Sequence, residues 1–129
     1  MHKIILSLAS NLQQGQNLAE ARIALGKVLS CISFTKELWT EPINASNPSM
    51  YLNQLAISST DLTEDELTSV LKEIESKMGR TKNLREKGIV PIDIDLLQYG
   101  HKKLHKHDWE RPYVKQLLND LYSFNTFER

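Results

Sequence analysis

The stretch Pro91-Ile92-Asp93-Ile94-Asp95-Leu96-Leu97 carries the clearest structural signal of this chain. Apolar and acidic residues alternate along it, and its proline stands at the first position, where a strand tolerates proline. In a strand, Ile92 and Ile94 point into the core. Asp93 and Asp95 then emerge together on the opposite face, roughly 7 Å apart. The stretch therefore predicts a strand whose outer face presents two carboxylates.

The rest of the chain surrounds this strand with elements in a regular order. The second helix is the best defined, because Thr63 and Glu66 form a capping box at its start and Gly79 ends it. Apolar periodicity predicts strands at 3–8, 30–38 and 51–58, helices at 16–29, 64–78 and from Pro112 onward, and a loop at 39–49. The order β, α, β, β, α, β predicts an α+β fold. We expect a ferredoxin-like two-layer sandwich, with helices on one face of a mostly antiparallel sheet.

Length and composition are those of an ordinary globular domain. With 129 residues, 40% of them apolar and 25% charged, we expect one domain spanning residues 1–129. The 16 basic and 16 acidic side chains cancel, which gives no overall attraction to nucleic acid or anionic lipid. No apolar stretch approaches the roughly 20 residues of a membrane span, and the lone Cys31 cannot form an internal disulfide. We therefore expect a cytoplasmic protein, monomeric by default, without nucleic-acid or membrane partners.

A basic segment, residues 80–88, precedes the two aspartates and contains Arg80, Lys82, Arg85 and Lys87. Cations and carboxylates that meet at one end of a sheet fit a site for phosphate and Mg²⁺, since phosphate pairs with cations and Mg²⁺ takes oxygen ligands. Two simpler interpretations stay open. The basic segment is also typical of a solvated turn, and the aspartates of the solvated face of a strand.

A second polar cluster contains His101, His105 and His107, with lysines between them. Because the lysines repel a metal cation, contact with phosphate is the better functional interpretation, and a solvated basic loop is the alternative. The sequence has no Gly-rich segment ending in Lys-Ser or Lys-Thr, which excludes a P-loop enzyme. It also lacks a convincing nucleophile and base pair.

Five short motifs follow one another along the chain: Leu8-Ala9-Ser10-Asn11-Leu12, Leu38-Trp39-Thr40-Glu41-Pro42, Tyr51-Leu52-Asn53, Ile74-Glu75 with Gly79-Arg80, and Asp93-Ile94-Asp95. In this order and near this spacing they resemble the motifs of the 6-hydroxymethyl-7,8-dihydropterin pyrophosphokinase family of folate biosynthesis. Each motif alone is weak, so the specificity of the resemblance lies in their order over most of the chain. The resemblance implies Mg²⁺-dependent transfer of pyrophosphate from ATP to the hydroxymethyl oxygen of the pterin, with release of AMP.

The resemblance also implies roles for individual residues. Asp93 and Asp95 would hold two Mg²⁺ ions, and Tyr51 and Tyr113 would sandwich the flat pterin ring. Catalytic roles fall on Arg80, Arg85 and Asp95, ATP contacts on Glu75, Arg80, Lys82, His105 and Arg111, and pterin contacts on Thr40, Pro42, Ile43, Tyr51, Asn53 and Tyr113.

Two positions depart from the family pattern. The family has Pro-Arg three to four residues before its first metal-binding aspartate, whereas Ile89 and Val90 stand there in this chain. A missing arginine removes positive charge from the place where negative charge builds on the phosphoryl oxygens. A catalytically impaired relative that acts as a pterin-binding, nucleotide-binding or regulatory ferredoxin-like module is therefore an alternative. A metal-dependent nucleic-acid enzyme using Asp93 and Asp95 is less favoured, because balanced charge offers no extended footprint.

Overall fold

A computed structural model of the chain describes residues 1–42 and 47–127. Its strands are β1 (His2–Ser10), β2 (Ser33–Phe34), β3 (Leu38–Thr40), β4 (Tyr51–Thr60), β5 (Asp93–Tyr99) and β6 (Lys102–Lys103). Its α-helices are α1 (Gln14–Val28), α2 (Glu64–Lys77), α3 (Lys82–Glu86) and α4 (Pro112–Phe127), and a short 3₁₀ helix covers Asp108–Glu110.

The strands form one sheet in the order β2, β4, β1, β5, β6, with β3 also paired to β4, and every pairing in the described part is antiparallel. Strand β1 lies at the centre because it is apolar on both faces: Ile4, Ile5 and Leu6 are completely buried. Strand β6 pairs with β5 at Gln98 and Tyr99. The Asp93 end of β5 therefore keeps one edge open beside the helices.

Helices α1 and α2 cover one face of the sheet. Their apolar stripes pack on alternate residues of the strands, among them Leu6 of β1 and Ile94 of β5. The capping box predicted for α2 is confirmed, since Thr63 N–H donates to Glu66 Oε1 at 2.9 Å and Glu66 N–H donates to Thr63 Oγ1 at 3.1 Å. The α+β class and the mostly antiparallel sheet are confirmed as well.

Helix α4 covers the opposite face, so the prediction that all helices lie on one face is wrong for this helix. Its residues Val114 and Leu117 are completely buried against Ile5, Leu55 and Leu97 of the strands. Leu97 reaches this face because the pairing of β1 with β5 shifts register between Ile5 and Leu6, which leaves Leu97 as a bulge residue. The two buried faces of the central strands thus receive separate helical layers.

Three boundaries differ from the predicted ones for local reasons. Residues Leu38–Thr40, predicted partly as loop, form a strand because β4 offers them an antiparallel partner. The basic segment contains the short helix α3, whose first turn is capped when Leu84 N–H donates to Thr81 Oγ1 at 3.2 Å. Strand β5 begins at Asp93, two residues after Pro91. Among the described residues, no helix is both long and apolar enough to cross a membrane.

Candidate active site

Two cavities meet at the first residues of β5, and Asp93 and Asp95 line both of them. The larger cleft, about 740 Å³, lies at the open edge of β5 and is bounded by one side of α2, by Arg85 and by His105. The smaller pocket, about 180 Å³, lies on the α4 face of the sheet. The two carboxylates therefore stand where the contents of one cavity would meet the contents of the other.

The two carboxyl groups of β5 influence each other electrostatically. The alternation of side chains predicted that they share one face of the strand, and both line the same two cavities. Burial, and then the charge and hydrogen bond of Asp93, raise the pKa of Asp95 to about 7. Asp108 and Glu75 add smaller effects in the same direction. A pair of carboxyl groups that favours one shared proton also favours a bound cation.

Arg80 is held between two carboxylates at the border of the larger cleft. Its Nη1 donates to Glu75 Oε2 at 2.9 Å and to Asp93 Oδ1 at 2.7 Å. Burial lowers the pKa of Arg80, but the hydrogen bond and charge of Asp93, with smaller contributions from Glu75 and Asp95, outweigh it and raise that pKa. Glu75 Oε2 also accepts from Ile94 N–H at 2.7 Å, which fastens α2 to β5. Arg80 therefore orients Asp93, and its charge is offset within the protein.

The larger cleft contains most of the residues predicted to contact ATP. Glu75, Arg80 and His105 line it, whereas Lys82 does not. Arg85, for which a catalytic role was predicted, also lines this cleft. His105 reaches the cleft because the loop before α4 is fastened by Trp109, whose indole N–H donates to Leu104 O at 2.9 Å and to Leu97 O at 3.2 Å. These residues, which are distant along the chain, therefore line one cleft in the fold.

The smaller pocket contains most of the residues predicted to contact the pterin. Thr40, Tyr51, Asn53 and Tyr113 line it. Arg111, predicted to contact ATP, lies here instead, where its Nε donates to Asp108 Oδ1 at 2.9 Å. Pro42 is not among the lining residues. The prediction for Ile43 lies outside the described residues.

Asn53 is fixed in the wall of the smaller pocket. Its side chain is almost completely buried, and its Nδ2 donates to Leu38 O at 3.0 Å and to Thr40 Oγ1 at 2.8 Å. Both donor hydrogens are therefore used to hold β3 against β4. Within the described ranges no donor reaches its Oδ1. The residue consequently offers a carbonyl oxygen of fixed orientation to a ligand in the pocket.

The two tyrosines of the smaller pocket stay neutral at physiological pH. Burial raises the pKa of Tyr51, and Asp93 adds to the effect. Burial likewise raises the pKa of Tyr113. Neutral phenol rings at the ends of strand β4 and helix α4 offer flat, polarisable faces for stacking against a planar ligand.

Several site residues were missed by the sequence analysis. Ser7 and Ala9 of β1 line the smaller pocket, and their period-two spacing from Ile5 was a signal for their facing α4. Asp108 lines the same pocket, and no local pattern pointed to it. Thr68 and Lys72 of α2 line the larger cleft at helical spacing from Glu75.

Asn11 lines neither cavity and anchors the segment that leads into β5. Its Nδ2 donates to Gly88 O at 2.8 Å, and its Oδ1 accepts from Val90 N–H at 2.7 Å. Its backbone N–H also donates to Val90 O at 3.0 Å. The side chain of Asn47 donates to the same Gly88 carbonyl at 3.2 Å. The motif around Ser10 and Asn11 therefore fixes the position from which the two aspartates project.

The donor set of Asp93 and Asp95 fits Mg²⁺. Both groups are carboxylates, the ligands that this hard cation prefers, and their mutual repulsion is relieved by a divalent cation. Arg80 occupies Oδ1 of Asp93, which leaves Oδ2 available for a metal. Within residues 1–42 and 47–127, no group of three or more His, Cys, Asp and Glu side chains is arranged to enclose a metal. Mg²⁺ commonly completes such a partial site with waters and substrate phosphates.

Comparisons with known proteins show which family this chain is similar to. The family model described as 7,8-dihydro-6-hydroxymethylpterin-pyrophosphokinase matches residues 5–123. The folate synthesis bifunctional protein of Arabidopsis thaliana is 34% identical over 130 residues, which cover 92% of this chain and 27% of that protein. A mitochondrial folate synthesis bifunctional protein of Pisum sativum is also 34% identical, over 129 residues, 92% of this chain and 25% of that protein.

A shorter relative is covered over most of its length. The 2-amino-4-hydroxy-6-hydroxymethyldihydropteridine pyrophosphokinase of Porphyromonas gingivalis is 28% identical over 136 residues, which cover 92% of this chain and 89% of that protein. The chain spans about a quarter of the length of the two bifunctional relatives. Since the family model extends over nearly the whole chain, the chain belongs to the 7,8-dihydro-6-hydroxymethylpterin-pyrophosphokinase family.

Proposed function

We propose that the chain transfers the β,γ-pyrophosphate of ATP to the hydroxymethyl oxygen of 6-hydroxymethyl-7,8-dihydropterin and releases AMP. The observation that carries the proposal is the position of Asp93 and Asp95 between a charged cleft and an aromatic pocket. A two-substrate transfer needs this arrangement, because both substrates must bring their reacting atoms to one place.

The larger cleft suits the nucleotide. Its volume of about 740 Å³ lies within the range of small-molecule sites, and Arg80, Arg85 and His105 line it. Arg80 cannot approach phosphate with its full charge, because Glu75 and Asp93 already accept from it. We assign Arg80 to orienting Asp93 and Arg85 to contacting the phosphates. The nucleotide contacts predicted for Lys82 and Arg111 stay predictions, because neither residue lines the larger cleft.

The smaller pocket suits the pterin. Tyr51 and Tyr113 provide aromatic faces for the flat bicyclic ring, and Oδ1 of Asn53 accepts from an N–H at the ring edge. Thr40 holds Asn53 in place, and the pterin contacts of Pro42 and Ile43 stay predictions. A ring held in this way directs its hydroxymethyl group toward Asp95.

The transfer forms one bond to phosphorus and breaks another. The hydroxymethyl oxygen bonds to the β-phosphorus and gives up its proton to solvent, the bond between that phosphorus and the oxygen bridging to the α-phosphorus breaks, and this oxygen leaves with AMP. Two Mg²⁺ ions, when bound, supply positive charge to the phosphoryl oxygens as negative charge builds there. Asp93 and Asp95 would hold the ions, and both residues line the two cavities. Electrostatics and positioning therefore carry the catalysis.

One observation favours a second candidate function. Ile89 and Val90 stand where the family has Pro-Arg. Two hydrogen bonds with Asn11 fix the backbone of Val90, and Ile89 N–H donates to Leu84 O at 2.9 Å. No cation approaches the phosphates from these two positions. The alternative function is therefore a binding or regulatory module that retains the pterin and nucleotide sites but turns over slowly or not at all.

A direct assay separates these functions. Protein incubated with ATP, Mg²⁺ and hydroxymethyl-dihydropterin should release AMP, measured by chromatography, and Asp95→Ala should abolish the release. Binding of both ligands by calorimetry without AMP release would favour the module. Failure of hydroxymethyl-dihydropterin and a non-hydrolysable ATP analogue to bind, singly and together, would contradict both.

The setting of the reaction follows from charge and cysteine content. We propose a cytoplasmic monomer that does not bind nucleic acid, supported by the balanced charge and the single, exposed Cys31, which suits a reducing compartment. Light scattering of the purified chain should give the mass of one copy. A salt-sensitive mobility shift of labelled RNA or DNA would contradict the absence of a nucleic-acid partner.

A further inference from the structure

Helix α2 presents one polar stripe to the larger cleft. Thr68, Lys72, Glu75 and Ser76 are spaced by three and four residues, so they share a face of the helix, and all four line the cleft. The buried residues Leu67, Leu71 and Ile74 hold this helix against the sheet. The stripe therefore forms a firm wall opposite the acidic wall of β5.

The cations around this cleft are not equally available. Arg80 is paired with Glu75 and Asp93, and Lys102 is paired with Glu64 at 3.1 Å. Within the described ranges, no ion pair joins Lys72 to a carboxylate. Lys77 on the same helix differs, because its Nζ lies 2.9 Å from Glu73 Oε1. Lys72 is thus a cation that lines the cleft and carries an uncompensated charge.

We propose that Lys72 binds the phosphate chain of a nucleoside triphosphate in the larger cleft. The triphosphate then lies between two walls, with Asp93 and Asp95 on the β5 side and the Lys72 ammonium group on the α2 side. The inference rests on the proposed function and names a contact of the same site. An ammonium group on a flexible stem suits this task, because it donates three hydrogen bonds as a compact charge.

The test compares two lysines of one helix. Calorimetry should measure the binding of a non-hydrolysable ATP analogue with Mg²⁺ to the full chain and to Lys72→Met, Lys72→Arg and Lys77→Met. We expect Lys72→Met to weaken binding about tenfold, as the loss of one charge-assisted hydrogen bond does. The affinity of Lys72→Arg for the analogue should lie within about threefold of that of the unchanged chain. The affinity of Lys77→Met should equal that of the unchanged chain. Equal affinities of Lys72→Met and Lys77→Met would overturn the proposal.

A second ligand identifies the part of the nucleotide that Lys72 contacts. Adenosine lacks phosphate, so its binding should be the same for the unchanged chain and for Lys72→Met. An equal loss for adenosine and for the ATP analogue would assign the contact to the nucleoside and overturn the phosphate role. Thermal unfolding should give the same midpoint for both chains, because Lys72 is exposed.

The failure of this inference is distinguishable from the failure of the proposed function. The binding measurements involve no turnover, so a chain that binds the analogue and releases no AMP still reports on Lys72. Absence of any binding by the unchanged chain would overturn both. In an active chain, Lys72→Met should raise KM for ATP and leave KM for the pterin unchanged, and a change confined to the pterin KM would contradict the phosphate contact.

Discussion

The larger cleft and the smaller pocket differ in how their walls are built. The smaller pocket rests mainly on strands β1, β3 and β4, and its residue Asn53 is fixed by two hydrogen bonds. The larger cleft is lined by long charged side chains of α2 and of loops, among them Arg85 and His105, which are exposed. A rigid wall suits recognition of a flat ring by shape, whereas long charged side chains suit a flexible phosphate chain. Substitutions should therefore separate the two functions, except where a residue serves both cavities.

Asp95 serves both cavities, and its loss should have the largest effect. Asp95→Ala removes a proposed metal ligand that borders both reactants, so we expect kcat for AMP release to fall about 10³-fold, the magnitude typical of a lost transition-state stabiliser. Asp108→Asn is the matched control, because Asp108 lines the smaller pocket only. Its effect should stay within about tenfold. Comparable losses of kcat in the two variants would show that Asp95 contributes no more to AMP release than Asp108 does.

Substitution of Asn11 should also affect both cavities, because Asn11 supports the segment before β5 without lining either cavity. Asn11→Ala leaves the half-buried Val90 N–H without its side-chain acceptor and removes one donor from Gly88 O. We expect a loss of about 2 to 3 kcal/mol in the free energy of unfolding, measured with urea, and a parallel rise in KM for both substrates. Asn11→Asp keeps the acceptor for Val90 and should lose less. A rise in KM for one substrate alone would show that Asn11 belongs to one cavity.

Tyr51 tests the smaller pocket separately. Tyr51→Ala removes one aromatic face, and we expect hydroxymethyl-dihydropterin to bind about tenfold more weakly, a loss of about 1.4 kcal/mol. Binding of the ATP analogue should not change. Tyr51→Phe retains the face and should bind the pterin nearly as well as the unchanged chain. If Tyr51→Phe loses as much affinity as Tyr51→Ala, the hydroxyl group and not the ring carries the contact.

The local parts of this architecture were predictable from sequence, and the long-range parts were not. The Thr63 and Glu66 capping box and the alternation at Asp93 and Asp95 are decided by neighbouring residues, so the pattern predicts them correctly. The contact of Asn11 with Gly88 joins residues 77 positions apart and leaves no periodic trace. The bulge at Leu97, which turns this side chain toward α4, likewise depends on how β1 and β5 pair.

The candidate site divides in the same way. Residue types and motif order predicted which side chains gather near the two aspartates, and most of them line one of the two cavities. The assignment of Arg111 to the nucleotide side followed from the family resemblance, whereas its place beside Asp108 follows from the 3₁₀ turn before α4. Lys72 was missed because one lysine on an amphipathic helix resembles any solvated one until the neighbouring carboxylates and their partners are known.

The shared position of Asp95 also makes a prediction about pH. The folded-state pKa of Asp95, about 7, lies above the value of 3.8 for an ordinary aspartate, so the folded metal-free protein binds a proton that the unfolded chain releases. Its contribution to stability is fully present below about pH 4 and is lost as the pH rises through about 7. Asp95→Asn stays neutral at every pH. We therefore expect this variant to be more stable than the unchanged chain at high pH.

Urea unfolding in EDTA at pH 4 and pH 8 measures this difference. The advantage of Asp95→Asn should be near zero at pH 4 and about 1 to 2 kcal/mol at pH 8, a value reduced for the partial solvent exposure of the carboxyl group. Asp61→Asn, an exposed substitution away from both cavities, should show no such rise. Mg²⁺ should narrow the gap at pH 8, because it binds the ionised pair and not the amide. An equal gain in the free energy of unfolding at both pH values would mean that the two carboxyl groups do not share a proton. Ionisation of the pair would then not destabilise the folded chain.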